Sequence, residues 1–411
     1  MQELLPSYSA MQSYFKDQFA LSYRVEEAAW NQLEELHLSC EESLPNFLQV
    51  ETLEPSVYFE YKGYQVPVFF TAASFSQPIE SKILQFDVVL NAFLLLSGWQ
   101  EWVIATKDKE GRFPFQCSLQ HKFNFVEVPV VTIYFELLAE AMRKAGFVCD
   151  PLPYSKPIIF THDIDQVRSG WFEDIGFYLK NNPVKNSWKM LKTVLGKVLG
   201  SKDSYWNAFE EMLALDQQHN TEAISFLMTD KSHQDADYQL KTLTKASGLD
   251  GQIIGLHPGY FTYNDANNFK RQLEELEQHF PEAKRIVRQH FLKYDVRVTN
   301  QIHEELAITE DYSLGFAERY GFRNSIATPF YLYRFDQKRV STVLEVPLYF
   351  MDGTLFHYMK DRSWKGKQEV IQKIEKLTQD FNCQFSVLFH NSVFTENKYK
   401  GFKKMYEELI F

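Results

Sequence analysis

The sequence predicts an α/β protein whose larger part is built on a parallel sheet, preceded by a smaller α+β part. Two observations lead to this prediction. After residue 151, short apolar segments alternate with amphipathic helices, and no such alternation precedes it. The closely spaced prolines of Pro151-Leu152-Pro153 favour an extended connection. We therefore expect an N-terminal α+β domain of unknown role at residues 1–150 and a second domain at residues 151–411.

The composition narrows the class of protein. Of the 411 residues, 45% are hydrophobic and 24% are charged, which is the balance of a globular chain. The net charge of −11 argues against nucleic acid as a partner, because phosphate binding needs a basic face. The four cysteines form no CxxC pair, so reduced thiols are expected. The aromatic content of 16% favours large aromatic cores over a sugar-stacking groove.

No segment has the pattern of a secretory signal or a transmembrane helix. The N-terminus lacks the basic start and the long apolar run of a signal peptide. The most apolar stretch, residues 88–99, is interrupted by Asn91 and is shorter than the roughly twenty residues that span a bilayer. These features predict a cytoplasmic protein.

The N-terminal part contains a hairpin and two helices. Residues 57–61 and 66–70, which are rich in apolar and aromatic side chains, flank a Lys-Gly-Tyr turn, which is typical of a β-hairpin. Apolar periodicity predicts helices at residues 86–104 and 131–145. No group of catalytic residue types occurs in this part.

The C-terminal part supplies seven candidate strands, at residues 157–162, 223–229, 252–256, 285–290, 322–326, 343–348 and 385–389. Apolar residues on one face predict helices between them at residues 206–218, 266–280 and 367–381. This alternation favours a parallel sheet, either barrel-like or doubly wound.

A basic amphipathic segment interrupts the alternation at residues 170–205. Its lysines lie among apolar residues, although the chain as a whole is acidic: Lys180, Lys185, Lys189, Lys192, Lys197 and Lys202. A solvated helical insertion explains this pattern better than a surface for an anionic substrate or a membrane.

Polar side chains of the types that bind metals or transfer protons follow several of the candidate strands. The carboxyl ends of parallel strands meet at one edge of a sheet, where active sites are usually built. The residues at these ends are Asp163 and Asp165, Asp230, His257, Arg288 and His290, and His390 with Asn391. One strand-end histidine is more often a core residue than a ligand, but so many such groups in order favour a site.

The residue types suggest a division of roles. Of two neighbouring aspartates, one could bind a divalent metal while the other stays free as a base. Aspartate with neutral imidazole suits zinc with an open position for water. Arg288 could hold the base carboxylate ionised, and His390 could protonate a leaving amine.

In their order, these motifs resemble those of the NodB-like polysaccharide deacetylases, the carbohydrate esterase family 4 group. The closest likeness is to a two-domain bacterial branch with an uncharacterised N-terminal domain. The resemblance covers residues 155–411 and implies a distorted (β/α)7 barrel, similar to a TIM barrel. It makes Asp163 in Thr161-His162-Asp163-Ile164-Asp165 the base and Asp165 a metal ligand.

The later motifs of the family match in turn. His257 in Gly255-Leu256-His257-Pro258-Gly259-Tyr260 corresponds to a metal histidine, Arg288 to the arginine that supports the base, and His390 to the general acid. The resemblance also makes Tyr260, Asp311, Arg323 and Asn391 candidate substrate-binding residues.

One position departs from the family pattern. A second metal histidine is usual four residues after the first, where this chain has Phe261, which cannot bind a metal. His290 is the candidate replacement. His162 is a weaker one, because neighbouring side chains in a strand point to opposite faces and His162 precedes Asp163.

The resemblance implies a metal-dependent hydrolase, with zinc as the expected divalent metal, that removes an N-acetyl group from an amino sugar or glycan precursor. The expected partner is therefore a carbohydrate or an N-acetylated small molecule. Two alternatives stay open: a metal-free amidase similar to the allantoinase-like members, and a catalytically silent barrel that binds carbohydrate.

Overall fold

The central feature of the fold is a nine-stranded sheet. The structure is a computed structural model, and it describes residues 2–30, 47, 49–71, 86–181, 183–231 and 236–410. The strands are β1 (Tyr23–Val25), β2 (Val57–Tyr61), β3 (Tyr64–Val68), β4 (Cys149–Pro151), β5 (Ile158–Ile164), β6 (Ile224–Met228), β7 (Ile253–His257), β8 (Ile286–Val287), β9 (Glu310–Asp311), β10 (Phe330–Arg334), β11 (Arg339–Glu345), β12 (Leu348–Met351) and β13 (Phe385–Leu388).

The large sheet has the strand order β10-β11-β9-β8-β7-β6-β5-β13-β12. Every pairing in it is parallel except that of β10 with β11. Its central strands β6 and β13 are buried at every residue, and β5 is buried at all but its first two, as is usual for parallel strands covered on both faces. The fold is thus mixed α/β with a curled sheet, but no pairing joins its two edge strands in the described part of the chain, so the closed (β/α)7 barrel stays a prediction.

The helices cover this sheet and form much of the N-terminal part. The described α-helices are Tyr8–Ala20, Val88–Leu96, Trp99–Val103, Leu119–Lys122, Val130–Lys144, Gly170–Lys180, Pro183–Val198, Ser204–Gln218, Leu240–Leu243, Ala266–His279, Thr299–Glu305, Trp364–Asp380 and Phe402–Ile410. Short 3₁₀ or π turns add Gln2–Leu4, Phe115–Cys117, Leu249–Gly251, His290–Leu292, Thr354–Tyr358 and Asn391–Thr395. None of the described helices is long and apolar enough to cross a membrane.

Most of the long predicted elements are confirmed. The hairpin is formed by β2 and β3, and the helices predicted at 131–145, 206–218, 266–280 and 367–381 are present with shifts of one to three residues at their ends. The helix predicted at 86–104 is interrupted at Gly98, whose φ of +86° ends one helix and starts the next.

Two strand predictions are wrong. Residues 322–326 form no strand, because Phe322 is buried in the core and its backbone N–H donates to Val126 O at 2.7 Å. The strand predicted at 343–348 is instead divided between β11 and β12, and Pro347, which has no N–H to donate to a ladder, lies between them.

The N-terminal part packs directly on the sheet region. Leu94, Leu95, Leu96 and Trp99 are fully buried, and the Trp99 ring lies 4.9 Å from that of Phe335. One hydrophobic cluster includes residues from both parts of the chain. Burial of each such side chain contributes about 1.5–3 kcal/mol to folding. These helices therefore pack on the sheet region, whereas the division into domains at residue 150 stays a proposal.

Strands β6, β7 and β8 pack closely together near the strand ends that carry the candidate site residues. A Cβ on Gly255 in β7 would lie 2.7 Å from atoms of Ile286 and Phe226, so only glycine fits between the neighbouring strands. Register pairs Met228 of β6 with His257 of β7, and Asp163 of β5 with Phe226. The strand ends therefore bring their polar residues to one edge of the sheet.

Candidate metal centre and active site

Asp163 and Asp165 stand at the carboxyl end of β5. Asp163 is the penultimate residue of the strand and is 2% exposed, and Asp165 follows the strand directly. His162 points to the opposite face, where its Nε2 lies 3.1 Å from Asp216 Oδ2 and within hydrogen-bond distance of the Tyr406 hydroxyl. As the strand alternation predicted, His162 belongs to a buried network outside the site.

His257 has one nitrogen fixed and the other directed at the cluster. Its Nδ1 lies 2.6 Å from the carbonyl oxygen of Arg288, which can only accept a hydrogen bond, so Nδ1 carries the proton. Its Nε2 lies 3.0 Å from His290 Nδ1 and 3.3 Å from Asp165 Oδ1. A neutral His257 therefore presents the Nε2 lone pair to these residues, which is the tautomer that a metal ligand needs.

The backbone directly after His290 is strained. The two residues after it, Phe291 and Leu292, have φ of +59° and +54°, in the left-handed region that bulky residues rarely adopt. Such conformations cost of order 1–3 kcal/mol each and cluster at functional sites. The surrounding packing holds this segment in place, since Leu292 is buried.

The three residues predicted as metal ligands converge. One ligand atom from each of Asp165, His257 and His290 lies within 4.8 Å of the others. Beside them, Asp163 Oδ1 is buried and accepts no hydrogen bond. An orphaned buried carboxylate oxygen next to two imidazoles and a second carboxylate is costly unless a cation compensates it. The residues present thus fit a divalent ion. Two imidazoles and a carboxylate suit zinc as well as other divalent transition metals.

Electrostatics at the cluster follow from burial and mutual charge. Burial would raise the pKa of Asp165, but the hydrogen bond from His257 and the charges of His390, His290 and His257 hold it well below its ordinary value. Burial would lower the pKa of His257, and the charges of Asp163 and Asp165 raise it. In both cases opposite charge outweighs desolvation.

Arg288 lies behind Asp163. Its Nε is 3.7 Å from Asp163 Oδ1, its Nη2 donates to Thr161 Oγ1 at 2.8 Å, and its guanidinium lies over the Phe226 ring. The side chain is fully buried, and this burial lowers its pKa, an effect that the charge of Asp163 opposes. The predicted support of Asp163 by Arg288 is thus an ionic contact rather than a bidentate hydrogen bond.

His390 completes the edge on the other side of Asp165. Its Nε2 lies 3.7 Å from Asp165 Oδ2, and its Nδ1 lies 2.7 Å from Asp352 Oδ1. Burial would lower the pKa of His390, but the charge and hydrogen bond of Asp352, with the charges of Asp165 and Asp163, raise it to about 10. His390 is therefore protonated at neutral pH with Nε2–H directed at the cluster.

Asp352 is the functional residue that the sequence prediction missed. It follows β12 immediately, so it has the same strand-end signal as Asp163 and His257. The predicted strand at 343–348 ended too early to show it. The apolar run Tyr349-Phe350-Met351 before Asp352-Gly353 was the available indication.

Aromatic side chains form the rim of the cluster. The Tyr260 ring lies 5.0 Å from that of Phe261 and 5.6 Å from that of Phe291, which is 4.4 Å from His290. Phe261 is 50% exposed, so it contributes to the rim in place of a metal-binding side chain. Exposed aromatic faces at this position can stack on an apolar face of a ligand.

The N-terminal part reaches this rim. Tyr260 donates its hydroxyl proton to Glu110 Oε2 at 2.8 Å, and Arg112 Nη1 donates to Phe291 O at 3.0 Å. Lys293 Nζ lies 3.5 Å above the Tyr260 ring. Residues near 110 therefore help to position the aromatic rim.

Three predicted substrate-binding residues are held by other protein groups. Asp311 Oδ2 lies 2.9 Å from His303 Nδ1, and Asn391 Nδ2 donates to Gln166 O at 2.7 Å. Arg323 Nε donates to Glu101 Oε1 at 2.7 Å. All three are buried, so these contacts account for them without a ligand, and their binding role stays a prediction.

Asp230, which also follows a strand, accepts a hydrogen bond from Gln272 Nε2 at 2.9 Å. It lies outside the group of three converging ligand atoms.

Reduced cysteines were expected from the sequence. Among the described residues, Cys117, Cys149 and Cys383 form no disulfide, and Cys40 lies outside the described residues.

Comparison with known proteins gives distant likenesses. Residues 7–146 match a family model described as "Family of unknown function (DUF7033)". A solved structure from Mycobacterium smegmatis, whose assignment as a polysaccharide deacetylase is itself provisional, is 14% identical with a TM-score of 0.38, over 63% of this chain and 87% of that one. That likeness is too distant to assign a fold or an activity. No curated protein matches the chain.

Proposed function

We propose that the protein is a metal-dependent hydrolase that removes an N-acetyl group from an amino sugar or a glycan precursor. The observation that carries the proposal is the convergence of Asp165, His257 and His290, with Asp163 and His390 within 4 Å of members of this group. A cation site flanked by a carboxylate and a protonated imidazole has the parts needed for amide hydrolysis. The motif resemblance to the NodB-like deacetylases supports the choice of substrate.

Asp165, His257 and His290 would hold the ion, and zinc is the proposed metal. When bound, a divalent cation supplies Lewis acidity, which polarises a carbonyl group and acidifies water. The protein fixes its own ligands in advance, because Arg288 O holds the His257 ring and the strained 290–292 segment holds His290.

Asp163 is the proposed base. It would take a proton from the attacking water as the water oxygen bonds to the acetyl carbon. The Arg288 guanidinium, whose Nε lies 3.7 Å from Asp163 Oδ1, supplies the positive charge that faces this carboxylate. In the same buried position, a side-chain amide could not take this proton.

His390 is the proposed general acid. Its Nε2–H would protonate the nitrogen as the carbon–nitrogen bond breaks, which releases acetate and a free amine. Asp352 stabilises the imidazolium before transfer and keeps the proton of Nδ1 away from the substrate. The base on β5 and the acid after the neighbouring strand β13 thus both adjoin Asp165, so one bound substrate could reach both.

The rim supports a sugar as the part of the substrate that is recognised. Tyr260, Phe261 and Phe291 offer ring faces, and Glu110 and Lys293 offer polar groups beside them. We propose that residues 1–150 form a domain that scaffolds the sheet and helps recognition, because Glu110 and Arg112 reach the rim.

The decisive experiment measures metal and acetate together. Untagged protein is analysed by plasma mass spectrometry and assayed for acetate release from N-acetylated sugars, with and without added zinc. We expect one metal per chain and zinc-dependent release, both lost in His257→Ala. His121→Ala, an exposed histidine elsewhere, is the matched control and should retain both.

Two outcomes would contradict the proposal in different ways. Acetate or ammonia release that persists after complete metal removal would favour a metal-free amidase. Stoichiometric metal with no turnover on any N-acetylated sugar would leave a binding protein without this activity.

A further inference from the structure

Exposed apolar side chains concentrate on one pair of helices, Gly170–Lys180 and Pro183–Val198, which we call the lysine-rich helix pair. Of the fifteen large hydrophobic side chains that are exposed among the described residues, nine lie between residues 172 and 199. Trp188 is 71% exposed and Val198 is 76% exposed. Single exposed hydrophobics are ordinary, but a contiguous group of this size marks an interaction surface.

The second helix of the pair presents its apolar face to solvent. Its exposed apolar residues recur every three or four positions and therefore share one face: Val184, Trp188, Leu191, Leu195 and Val198. The less exposed positions, Asn186, Met190 and Thr193, lie on the opposite side. A helix that packed on a core would have the reverse arrangement, so the apolar face is available to a partner.

Positive charge accompanies this face. Residues 183–202 contain five lysines and no acidic residue, in a chain whose net charge is −11. Lys185, Lys189 and Lys192 follow one flank of the apolar face at helical spacing. Neither Lys189 nor Lys192 has a carboxylate within 4.0 Å among the described residues. The charges of Lys189 and Lys192 thus face no carboxylate at contact distance, whereas Lys202 pairs with Glu210, and the local charge is opposite in sign to that of the chain.

A cleft between the two helices and the start of the next combines the same residue types. Its volume is about 530 Å³, and Trp171, Trp188, Lys192, Lys197 and Lys202 contribute to its wall.

The two acidic residues of the cleft are already engaged. Asp203 accepts backbone N–H bonds from Gly170 and Tyr205, and Asp174 Oδ1 accepts a hydrogen bond from the side-chain amide of Asn397. Tryptophan and lysine around an apolar face are the residues that lie at the boundary between lipid headgroups and acyl chains.

We propose that the lysine-rich helix pair docks the protein on an anionic lipid surface. The apolar face would lie at the headgroup boundary, and Lys185, Lys189 and Lys192 would contact the headgroups. A second copy of the chain is a less suitable occupant, because a two-fold contact through this face would bring both sets of lysines together. Charge complementarity therefore selects an anionic bilayer.

Docking would hold the candidate site beside the bilayer. The first helix of the pair begins five residues after Asp165, and Asn391, next to His390, donates to Gln166 O in the intervening loop. The docking itself does not depend on the proposed hydrolase activity, so each can fail without the other.

Vesicle sedimentation tests the proposal directly. Full-length protein is mixed with phosphatidylcholine vesicles that either contain or lack phosphatidylglycerol. We expect sedimentation with the anionic vesicles, with weaker binding at high salt and to the neutral ones. Lys185→Glu, Lys189→Glu and Lys192→Glu together should weaken binding by roughly a hundredfold, and Trp188→Ser with Leu195→Ser should also weaken it.

A triple variant with the same change in charge provides the control. Lys270→Glu, Lys365→Glu and Lys404→Glu alter exposed lysines on other helices and should leave vesicle binding within about twofold of wild type. Equal loss in both triple variants would overturn the proposal, as would wild-type protein that stays in the supernatant. A dimer that Trp188→Ser dissociates, without vesicle binding, would assign the face to a second copy instead.

Discussion

Asp352 accepts two hydrogen bonds from His390, one from Nδ1–H at 2.7 Å and one from the backbone N–H at 2.6 Å. The two contacts fix both the rotation of the ring and its tautomer, so that Nε2 is directed at Asp165. Because Asp352 is 1% exposed, its charge acts on His390 with little screening by water.

His257 obtains the same tautomer from a different partner. Its Nδ1–H donates to the neutral carbonyl of Arg288, whereas the Nδ1–H of His390 donates to a carboxylate. A neutral acceptor leaves the imidazole free to act as a ligand, and a carboxylate favours the imidazolium that an acid requires. The second partner of each ring thus distinguishes the two roles.

We expect Asp163→Asn to abolish most turnover and leave the metal in place. Asparagine keeps the shape of the side chain but cannot accept a proton, so kcat for acetate release should fall by roughly 10²–10⁴-fold. Metal content, measured on the same sample, should stay at the wild-type value. Loss of metal in Asp163→Asn, with retention in Asp165→Asn, would show that the roles of the two aspartates are exchanged.

The general acid can be separated from the rest of the site by the leaving group. His390→Ala and Asp352→Asn should each lower kcat for an N-acetyl amide by roughly 10²-fold or more, because an amine leaves only when protonated. An aryl acetate releases a phenolate that needs little protonation, and its hydrolysis should fall much less. Equal losses on both substrates would indicate that Asp352 and His390 maintain the structure of the site instead of donating a proton.

The parts of the fold that the sequence predicted are those specified by local patterns. The helix at 266–280 and the strand at 223–229 have enough residues for periodicity or apolar continuity to be recognised. β8 and β9 have two residues each, which is too short for any period. Their place in the sheet depends on neighbouring strands that are distant in sequence.

The residues of the candidate site, like the long elements of the fold, could be predicted where a local sequence pattern marked them. Asp165, His257 and His290 directly follow or end apolar segments, so their convergence could be inferred from the meeting of parallel strand ends. The contact of Arg323 with Glu101 joins residues 222 positions apart, and no local pattern indicates it. Arg323, whose partner lies in the N-terminal part, was therefore assigned to substrate instead.

Glu345→Gln should stabilise the protein increasingly as pH rises. Burial, and then the charge of Asp311, raise the pKa of Glu345 well above its ordinary value of 4.5. Folding therefore retains a proton that the unfolded chain loses above that pH, and wild-type stability declines from there up to the folded pKa.

Denaturant unfolding measured at several pH values checks this expectation. The advantage of Glu345→Gln over wild type should grow by about 1.4 kcal/mol per pH unit within that window. Glu282→Gln, the same substitution at an exposed position, should show no such growth. A constant difference between Glu345→Gln and wild type would mean that Glu345 is ionised in the folded protein.

The last prediction concerns the ion pair that joins the two parts of the chain. Arg323 Nε donates to Glu101 Oε1 at 2.7 Å, the second guanidinium nitrogen contacts Glu101 Oε2, and both side chains are at most 2% exposed. Glu101→Ala would leave a buried guanidinium without its counter-charge, so we expect a loss of about 3–5 kcal/mol in the free energy of unfolding. Glu277→Ala, which breaks the exposed pair with Arg285, should cost about 0–1 kcal/mol.

The double variant Glu101→Leu/Arg323→Met distinguishes the pair from simple loss of packing. Because it removes both charges and keeps most of the volume, it should be more stable than Glu101→Ala, and it can approach wild type. Chemical denaturation of Glu101→Ala, the double variant and its two single variants, Glu101→Leu and Arg323→Met, provides the measurement. If the double variant is as unstable as the sum of its single substitutions, the two side chains contribute independently, and the N-terminal part is then held to the sheet by its apolar contacts around Trp99 and Phe335 alone.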